Sequence, residues 1–421
     1  MDRRSFVKAA PLAAALPLVT PSAWFGGIAP SVAAQLDALS TAAATLHDDA
    51  FWREVRTHFL LNPGVAHFNC GTLGAAPRVV LDAISAAMAE IEGNPSSNIF
   101  GPVGARLNGV YEQAAAFLGS GPGETVVTRN TTEGMNMVAD GIDFEPGDEV
   151  LTTTHEHHGG LVGWEQAERR RGVRIVKVPI PAPARDQDQI VSLLAAAVTD
   201  RTRVVSVSHV CTITGIVMPL ARIAAEITGP RGILLVCDAA QAPGMLRIDV
   251  KALGVDTYAS SSHKWMLAAK GSGLLYIRKE VQDRVRPTFL STGYAPYTAA
   301  TGTRNVAQII GHGVAMEFHE RIGRDRVEAR CLELRNLLRS GLAGLPGHHF
   351  LTGEAPELAS GIVSIGLDRA KVGDVAAALG AQDLVVKVMP IAEYNGLRFS
   401  THVFNSEREV ERLVAALRGL E

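Results

Sequence analysis

The stretch ILLVCDAAQ at residues 233–241 places a carboxylate and an amide directly after an apolar run. A second stretch, TYASSSHKW at residues 257–265, ends its β-rich run in serines, a histidine and a lysine. Short apolar runs of this kind are typical of strands buried on both faces of a sheet. Because an unpaired buried carboxylate is costly, Asp238 needs a cation, a hydrogen-bond donor or a helix N-terminus as its partner. The two stretches predict two buried strands with polar ends.

Similar β-rich runs, alternating with helical stretches, lie on both sides of these two strands. Alternation of β-rich runs with helical stretches predicts an α/β fold, with a mostly parallel seven-stranded sheet and helices on both faces. The predicted strands are Glu124–Arg129, Glu149–Thr154, Val173–Ile180, Arg203–Val210, Ile233–Cys237, Thr257–Ser260 and Gly273–Ile277. The predicted helices between them are Gly134–Gly141, Leu161–Arg171, Gln189–Val198 and Leu220–Ile227.

The alternation of predicted strands and helices ends at about residue 305. A long helical segment is predicted over Val306–Leu342, and short strands and helices follow it. This pattern predicts a small C-terminal α+β domain over residues 306–421, after a large domain over residues 66–305. Residues 35–65 are expected to form an N-terminal arm.

Residues 1–34 are predicted to be a targeting segment outside the fold. Arg3-Arg4 followed by Phe6 and Lys8 resembles the twin-arginine export signal, and small residues at the end of the segment suit cleavage there. The prolines in its apolar stretch disfavour a transmembrane helix, and no later run is apolar enough to span a bilayer. We expect the twin-arginine machinery to export the folded protein to the periplasm; a disordered basic terminus or a membrane anchor is the alternative.

Composition narrows the class of protein. The net charge of −3 gives no reason to expect a nucleic acid or a membrane surface as a partner. Four cysteines stand at no metal-like spacing and form no disulfide framework, although one or two bridges are possible in an oxidising compartment.

Polar residues follow several predicted strands, at the sheet edge where ligands bind in this class of fold. Thr131 and Thr132 open a helix, and free N–H groups and hydroxyls at a helix N-terminus suit a phosphate; simple capping is the alternative. His155, His157 and His158 follow another strand. They could bind a metal, stack on a flat cofactor or form a polar loop.

Lys264 follows a buried strand, between serines and an aromatic residue. An isolated lysine there is more often a surface residue, but burial could lower its pKa, and a neutral amine forms an imine with an aldehyde. Pyridoxal 5′-phosphate (PLP) needs a phosphate cradle, a group stacked on its ring, a carboxylate for its ring nitrogen and such a lysine. All four occur here at strand ends, so the sequence predicts a PLP enzyme.

The sequence from about residue 69 to residue 405 resembles the class V aminotransferase family of PLP enzymes of fold type I. The resemblance implies a large PLP-binding domain, a small C-terminal domain and a site between them. The stretches that carry it are Thr131–Asn136, Glu156–His158, Ser208–Val210, Asp238–Gln241, Ser261–Lys264, Gly302–Asn305 and Arg398–Asn405.

The resemblance implies a role for each matching residue. Lys264 is implied to be the imine-forming catalytic lysine, Asp238 the partner of the ring nitrogen and Gln241 the partner of the ring O3′. Arg398 is implied to hold the α-carboxylate of the substrate, with Asn69 nearby; an ordinary solvated arginine is the alternative. The other implied cofactor-binding residues are His157, stacked on the ring, and Thr131, Thr132, Thr212, Ser261, His263 and Thr303.

Two details of the resemblance bear on assembly and activity. Thr303 is implied to reach the site of the neighbouring subunit, which predicts a homodimer with shared active sites. Desulfurases of the family carry a catalytic cysteine shortly before the arginine, whereas this chain has none after Cys331. The threonine-rich Ser208–Gly215 stretch and the segment around Asn69 resemble instead the isopenicillin N epimerase-like branch.

The leading hypothesis is an exported, epimerase-like or aminotransferase-like enzyme that acts at the α-amino carbon of an amino acid or a peptide-derived substrate. Lys264 is the expected base at that carbon. The alternative is a PLP-dependent lyase or an oxidative deaminase or decarboxylase that tailors a natural product such as a siderophore. Two more distant alternatives are a metal-dependent hydrolase built on the histidines at 155–158 and a periplasmic binder without catalysis.

Overall fold

The computed structural model describes residues 29–295, 298–389 and 391–419, and the elements named here lie within these ranges. The strands are β1 (Ala66–His67), β2 (Thr125–Thr128), β3 (Glu149–Thr153), β4 (Arg174–Val178), β5 (Thr202–Ser208), β6 (Leu234–Asp238), β7 (Thr257–Ser261), β8 (Gly273–Ile277), β9 (His348–Phe350), β10 (Ile362–Leu367), β11 (Leu384–Val385), β12 (Lys387–Val388) and β13 (Gly396–Ser400). The helices are α1 (Pro30–Thr45), α2 (Asp48–Thr57), α3 (Arg78–Gly93), α4 (Pro95–Phe100), α5 (Pro102–Leu118), α6 (Thr131–Gly141), α7 (His158–Arg171), α8 (Gln187–Ala197), α9 (Leu220–Arg222, continued by a π-helical turn), α10 (Val250–Leu253), α11 (Val306–Ile322), α12 (Arg324–Leu342), α13 (Val372–Gly380) and α14 (Glu407–Arg418).

In the described part of the chain, seven strands form one sheet in the order β2-β8-β7-β6-β5-β3-β4. Strand β8 pairs antiparallel with β2 and β7, and the remaining pairs are parallel. Strand β6 lies at the centre, where Asp238 is opposite Ser208 of β5 and Ala259 of β7. The predicted mostly parallel seven-stranded sheet is confirmed.

Both faces of this sheet are covered. On β6, Leu234 and Val236 pack into the cluster formed with α6 and α7, whereas Leu235 and Cys237 pack into the larger cluster on the opposite face. Alternate residues of a strand point to opposite faces, so a strand covered on both sides is apolar throughout. Full burial of one such aliphatic side chain stabilises the fold by about 1.5–3 kcal/mol.

The small C-terminal domain is built on a second, antiparallel sheet in the order β12-β13-β10-β9. Helices α12, α13 and α14 supply residues to the cluster that covers it. Residues near the start of the large domain also join this region: β1 pairs with β11, and Asn69 forms a bridge with Ser400 at the end of β13. The segment that follows β1 is therefore held between the two domains.

The stretch Val306–Leu342 is helical as predicted, but it forms two helices, α11 and α12, and the break between them was not predicted. They are separated by Gly323, whose φ of +94° lies in the region that side chains with a Cβ rarely adopt. The chain turns there, so α11 can pack against α3 and α5 while α12 turns to the small domain.

Most of the predicted targeting segment, residues 1–28, lies outside the described residues. Helix α1 begins at Pro30, and its Val32 and Leu36 are buried. Cleavage after residue 34 would therefore fall inside this helix, and the position of cleavage stays a prediction. Across residues 29–295, 298–389 and 391–419, no helix has both the length and the apolar character needed to cross a bilayer.

Candidate active site

Two helix N-termini and the end of β7 meet at the carboxyl edge of the main sheet. At the start of α6 the Thr131 N–H donates to Ser261 Oγ at 3.0 Å, and the two hydroxyl oxygens are 2.9 Å apart. At the start of α7, a Cβ added to Gly159 would lie 2.5 Å from Thr132 Oγ1. Converging N-termini expose free N–H groups and partial positive charge. The junction of these helix starts therefore suits a phosphate.

Asp238 lies at the end of β6 and is 5% exposed. The Ala240 N–H donates to its Oδ1 at 3.0 Å, and a Cβ added to Gly160 would lie 2.5 Å from its Oδ2. Burial raises the pKa of Asp238, and the Ala240 N–H and the Lys264 amine partly oppose that rise. A cationic ring nitrogen would supply the charge partner that a buried carboxylate needs.

Lys264 follows β7 and is partly buried. Burial lowers the pKa of its amine to about 8, against the opposing effect of Asp238. Its carbonyl oxygen accepts a hydrogen bond from Cys70 Sγ at 3.5 Å, and the Gly74 N–H donates to the neighbouring His263 carbonyl at 2.9 Å. At pH 7 about a tenth of such amines are neutral, compared with less than about a thousandth for an ordinary lysine. Lys264 is therefore suited to attack an aldehyde.

Arg398 extends from β13 of the small domain into the large domain and is 4% exposed. Its Nη1 donates to Thr212 Oγ1 at 2.7 Å and to the Thr212 carbonyl at 3.1 Å. Its Nη2 donates to Thr72 Oγ1 at 3.1 Å and to Asn69 Oδ1 at 3.3 Å. Burial lowers the pKa of Arg398 to about 10, so the group stays charged at neutral pH. Neutral oxygens orient this cation and leave its charge for a ligand.

The side-chain amide of Gln241 is held by three other protein groups. Its Nε2 donates to the Gly71 carbonyl at 2.9 Å and to Thr212 Oγ1 at 3.1 Å, while its Oε1 accepts from Trp265 Nε1 at 2.7 Å. Both amide hydrogens thus link the Asn69–Gly74 loop to the Arg398 region. Its predicted contact with the ring O3′ stays a prediction that requires one of these bonds to be exchanged.

The three histidines at 155–158 have separate surroundings. His157 is exposed, caps α7 and accepts the Gly159 N–H on Nδ1 at 3.0 Å. His155 is buried, and its Nε2 is 3.0 Å from the Tyr394 hydroxyl of the small domain. His158 faces Glu165 at 3.8 Å. Within the described ranges, no cluster of three or more histidine, cysteine, aspartate or glutamate side chains could hold a metal ion.

His263 and Thr303 lie at the margin of the site. Burial lowers the pKa of His263 to about 4, so its imidazole is neutral at physiological pH. Thr303 is exposed and lines a surface cavity of about 520 Å³ together with Arg129 and Gly271. An exposed position of this kind suits a residue directed at a neighbouring subunit, and that role stays a prediction.

Several buried polar atoms near Lys264 and Arg398 lack a hydrogen-bond partner among the described residues. They are Ser262 Oγ, His263 Nδ1, Arg398 Nε and Ser400 Oγ. Buried polar atoms are usually paired, so this cluster fits a polar ligand. Together with the helix start at Thr131 and the glycines of α7, the residues present fit PLP.

Sequence reasoning did not identify Gly159, Gly160 or Trp265 as parts of the site. The glycines matter because the backbone of α7 approaches Thr132 and Asp238 too closely for a Cβ. Trp265 matters because it fixes the amide of Gln241. The adjacent pair of glycines at a helix start was a visible signal, whereas the tryptophan contact depends on the folded chain.

Comparison with known proteins gives one family and a consistent fold. The family model described as aminotransferase class-V matches residues 68–413. The chain is 32% identical over 397 residues to isopenicillin N epimerase of Amycolatopsis lactamdurans, an alignment that covers 88% of this chain and 98% of the relative. It is 30% identical over 341 residues to the cysteine desulfurase of Cronobacter sakazakii, with 74% of this chain and 82% of the relative covered.

Solved structures of PLP enzymes and of cysteine desulfurases have the same fold. A mutant of C-DES with glycine covalently linked to its PLP cofactor superposes with a TM-score of 0.78 at 27% identity, over 86% of this chain and 98% of that one. The apo cysteine desulfurase of Thermococcus onnurineus gives 0.77 at 26% identity, over 87% of this chain and 97% of that one. The fold is accordingly PLP fold type I, as the sequence predicted, and the cofactor is PLP.

Proposed function

Because the chain belongs to the aminotransferase class V family and uses PLP, we propose that it acts at the α-carbon of an amino acid or of the amino-acid end of a peptide-derived molecule. The reaction is epimerase-like or aminotransferase-like. The relatives that are epimerases align over nearly their whole length, which supports the first of these.

The observation that carries this proposal is the position of Arg398. Its guanidinium is buried, held by neutral oxygens of Thr212, Thr72 and Asn69, and lies where its charge is felt by Lys264. A planar cation in this setting binds a carboxylate with two parallel hydrogen bonds. A substrate whose carboxylate is held there presents its α-amino group toward Lys264.

In the mechanism, PLP supplies the aldehyde that takes up the amino group and the ring that withdraws electrons from the α-carbon. Lys264 Nζ, with its pKa of about 8, accepts the proton from that carbon. With PLP bound, Asp238 would supply negative charge to the ring nitrogen, and Thr131 and Ser261 would hold the phosphate. Arg398 fixes the carboxylate, so the α-hydrogen has one direction relative to Lys264.

The cysteines weigh against a desulfurase. All four are buried and free in the described structure, and burial raises the pKa of each thiol. Desulfurases of the family need an exposed thiolate, which is the form that attacks sulfur. A lyase is the second candidate, favoured by the similarity to C-DES, a C–S lyase by description, because elimination needs the same α-proton removal.

Exchange of the α-hydrogen tests the proposal directly. The holoenzyme is incubated in D₂O with a panel of L- and D-amino acids and short peptides, and α-deuteration is followed by NMR. We expect deuteration together with inversion for an epimerase, a keto acid for a transaminase, and pyruvate with sulfide for a C–S lyase. The absence of α-deuteration together with the absence of any keto acid or pyruvate, across the whole panel, would refute action at the α-carbon. The same exchange is followed in Lys264→Ala. Its matched control is Lys279→Ala, which alters an exposed lysine.

We also propose export in folded form by the twin-arginine route, which places the enzyme and its substrate in the periplasm. Support comes from Arg3-Arg4, Phe6 and Lys8 alone. In cell fractionation, the wild-type chain is expected in the periplasm and the Arg3→Lys, Arg4→Lys double variant in the cytoplasm. Equal distribution of the two would contradict export by this route.

The proposed assembly is a homodimer with Thr303 in the site of the partner subunit. Its support is the exposed position of Thr303 and of the apolar side chains Leu81, Met88 and Phe289. Co-expression of Lys264→Ala with Thr303→Ala tests the shared site, since each mixed dimer contains one site without either substitution. Activity above that of both parents supports it, and a monomer in sedimentation analysis contradicts it.

A further inference from the structure

Glu156 is a partly buried residue whose carboxyl has no role in the mechanism above. Thr153 Oγ1 donates to its Oε1 at 2.6 Å, and Ser208 Oγ donates to its Oε2 at 2.5 Å. Both donors are neutral hydroxyls, and both belong to strands of the main sheet. The sheet therefore holds this carboxyl in a fixed position, and among the described residues no cationic side chain pairs with it.

Glu156 is linked to Asp238 through Ser208. It directly precedes His157 in the chain, and its donor Ser208 is the register partner of Asp238 on the neighbouring strand. Burial raises the pKa of Glu156 to about 7, with a further contribution from Asp238. The thiols of Cys211 and Cys237 are also close enough to sense it, and burial keeps both neutral.

We propose that Glu156 is a positioning residue, whose carboxyl, linked to Asp238 through Ser208, sets the charge that the pocket presents to the cofactor ring. When Glu156 is ionised, the pocket holds a second negative charge. Both negative charges then favour the protonated forms of the nitrogen atoms of the bound cofactor. When Glu156 is neutral, Asp238 supplies this support alone. The inference rests on the cofactor and not on which reaction the enzyme performs, so it can fail while the proposed function stands.

The test is a pH titration of the visible absorbance of the holoenzyme, a readout that needs no substrate. Glu156→Gln keeps the shape of the side chain and removes its charge. We expect the midpoint of the absorbance change to fall by about one pH unit, as for one charge lost at a few ångströms in a partly screened site. Glu165→Gln, on the outward side of α7, is the control and is expected to leave the midpoint unchanged.

Two further variants separate charge from structure. Glu156→Asp restores the carboxyl and is expected to bring the midpoint at least halfway back. Ser208→Ala keeps the carboxyl but removes one donor, which favours its protonated form, so a smaller shift in the same direction is expected. It also serves if Glu156→Gln does not fold. A midpoint that moves in neither Glu156→Gln nor Ser208→Ala overturns the proposal, and a thermal destabilisation without such a shift assigns Glu156 a structural role only.

Discussion

The two halves of the site are built in different ways. The half proposed to hold the cofactor, called the cofactor half, stands on strand ends and helix starts of the main sheet, and consists of Thr131, His157, Asp238, Ser261 and Lys264. The arginine half brings a side chain of the small domain against two distant segments of the chain, and consists of Asn69, Thr72, Thr212 and Arg398. The first is therefore a property of one sheet, and the second exists only when the domains are packed together.

The halves also differ in their electrostatics. In the cofactor half, burial lowers the pKa of Lys264 and raises that of Asp238, so both groups are moved toward neutrality. In the arginine half, burial lowers the pKa of Arg398 only to about 10, so its charge is permanent at neutral pH. Cofactor capture should consequently depend on pH, whereas carboxylate binding should not.

Lys264→Ala is expected to have the largest effect. It removes the imine-forming amine and the base, so turnover should fall by about 1,000-fold or more. Activity is measured with the substrate found by deuterium exchange, beside Lys279→Ala. Turnover within about tenfold of the wild type would show that another group is the base and would remove Lys264 from the cofactor half.

Arg398→Gln tests whether the halves are separable. Loss of the buried cation should lower kcat/KM by about 100-fold, since one partner of a buried charge pair is worth about 2–5 kcal/mol. The visible band of the bound cofactor should persist. Arg185→Gln, at an exposed arginine, is the control. If the band is lost as well, the two halves form one structural unit and the comparison is wrong.

Gly160→Ala should weaken the cofactor half alone. The added Cβ would lie 2.5 Å from Asp238 Oδ2, so either the carboxylate or α7 must move. We expect the Kd for PLP to rise by about tenfold, as for a modest overpacking. Equilibrium binding to the apo chain measures it. Gly373→Ala meets no atom within 4 Å and should leave the Kd unchanged; equal effects at both positions would contradict the close approach.

The smallest expected effect is in the pH dependence of cofactor uptake. A neutral amine is the reactive form, and the pKa of Lys264 is about 8. The uptake rate should therefore rise less than about twofold between pH 8 and pH 9, whereas an ordinary lysine would give a rise of about tenfold. Stopped-flow absorbance on the apo chain decides this. A tenfold rise would show that the amine is not desolvated before the cofactor binds.

The residues of the cofactor half could be selected from the sequence because they follow predicted strands, at strand ends or at the starts of the next helices. The apolar runs that end at Asp238 and near Lys264 predicted both the strands and the position of polar chemistry, and the sheet is as expected. Strand periodicity is local information, so it needs no knowledge of the folded chain.

The remaining features depend on contacts between distant segments. Tyr394 is 239 residues from its partner His155, and the amide of Gln241 is held by Gly71, 170 residues away. No spacing in the sequence encodes such pairs. The break at Gly323 was not predicted for another reason. An isolated glycine is tolerated inside a helix, and only its φ in the folded chain shows the turn.

The proposal that Lys264 forms the imine with PLP is tested most directly by borohydride reduction of the holoenzyme, followed by peptide mapping by mass spectrometry. The visible band should disappear, and one reduced cofactor should be attached to the peptide that contains Lys264. Attachment to another lysine, or an unmodified Lys264 peptide in a chain that has bound PLP, would contradict it.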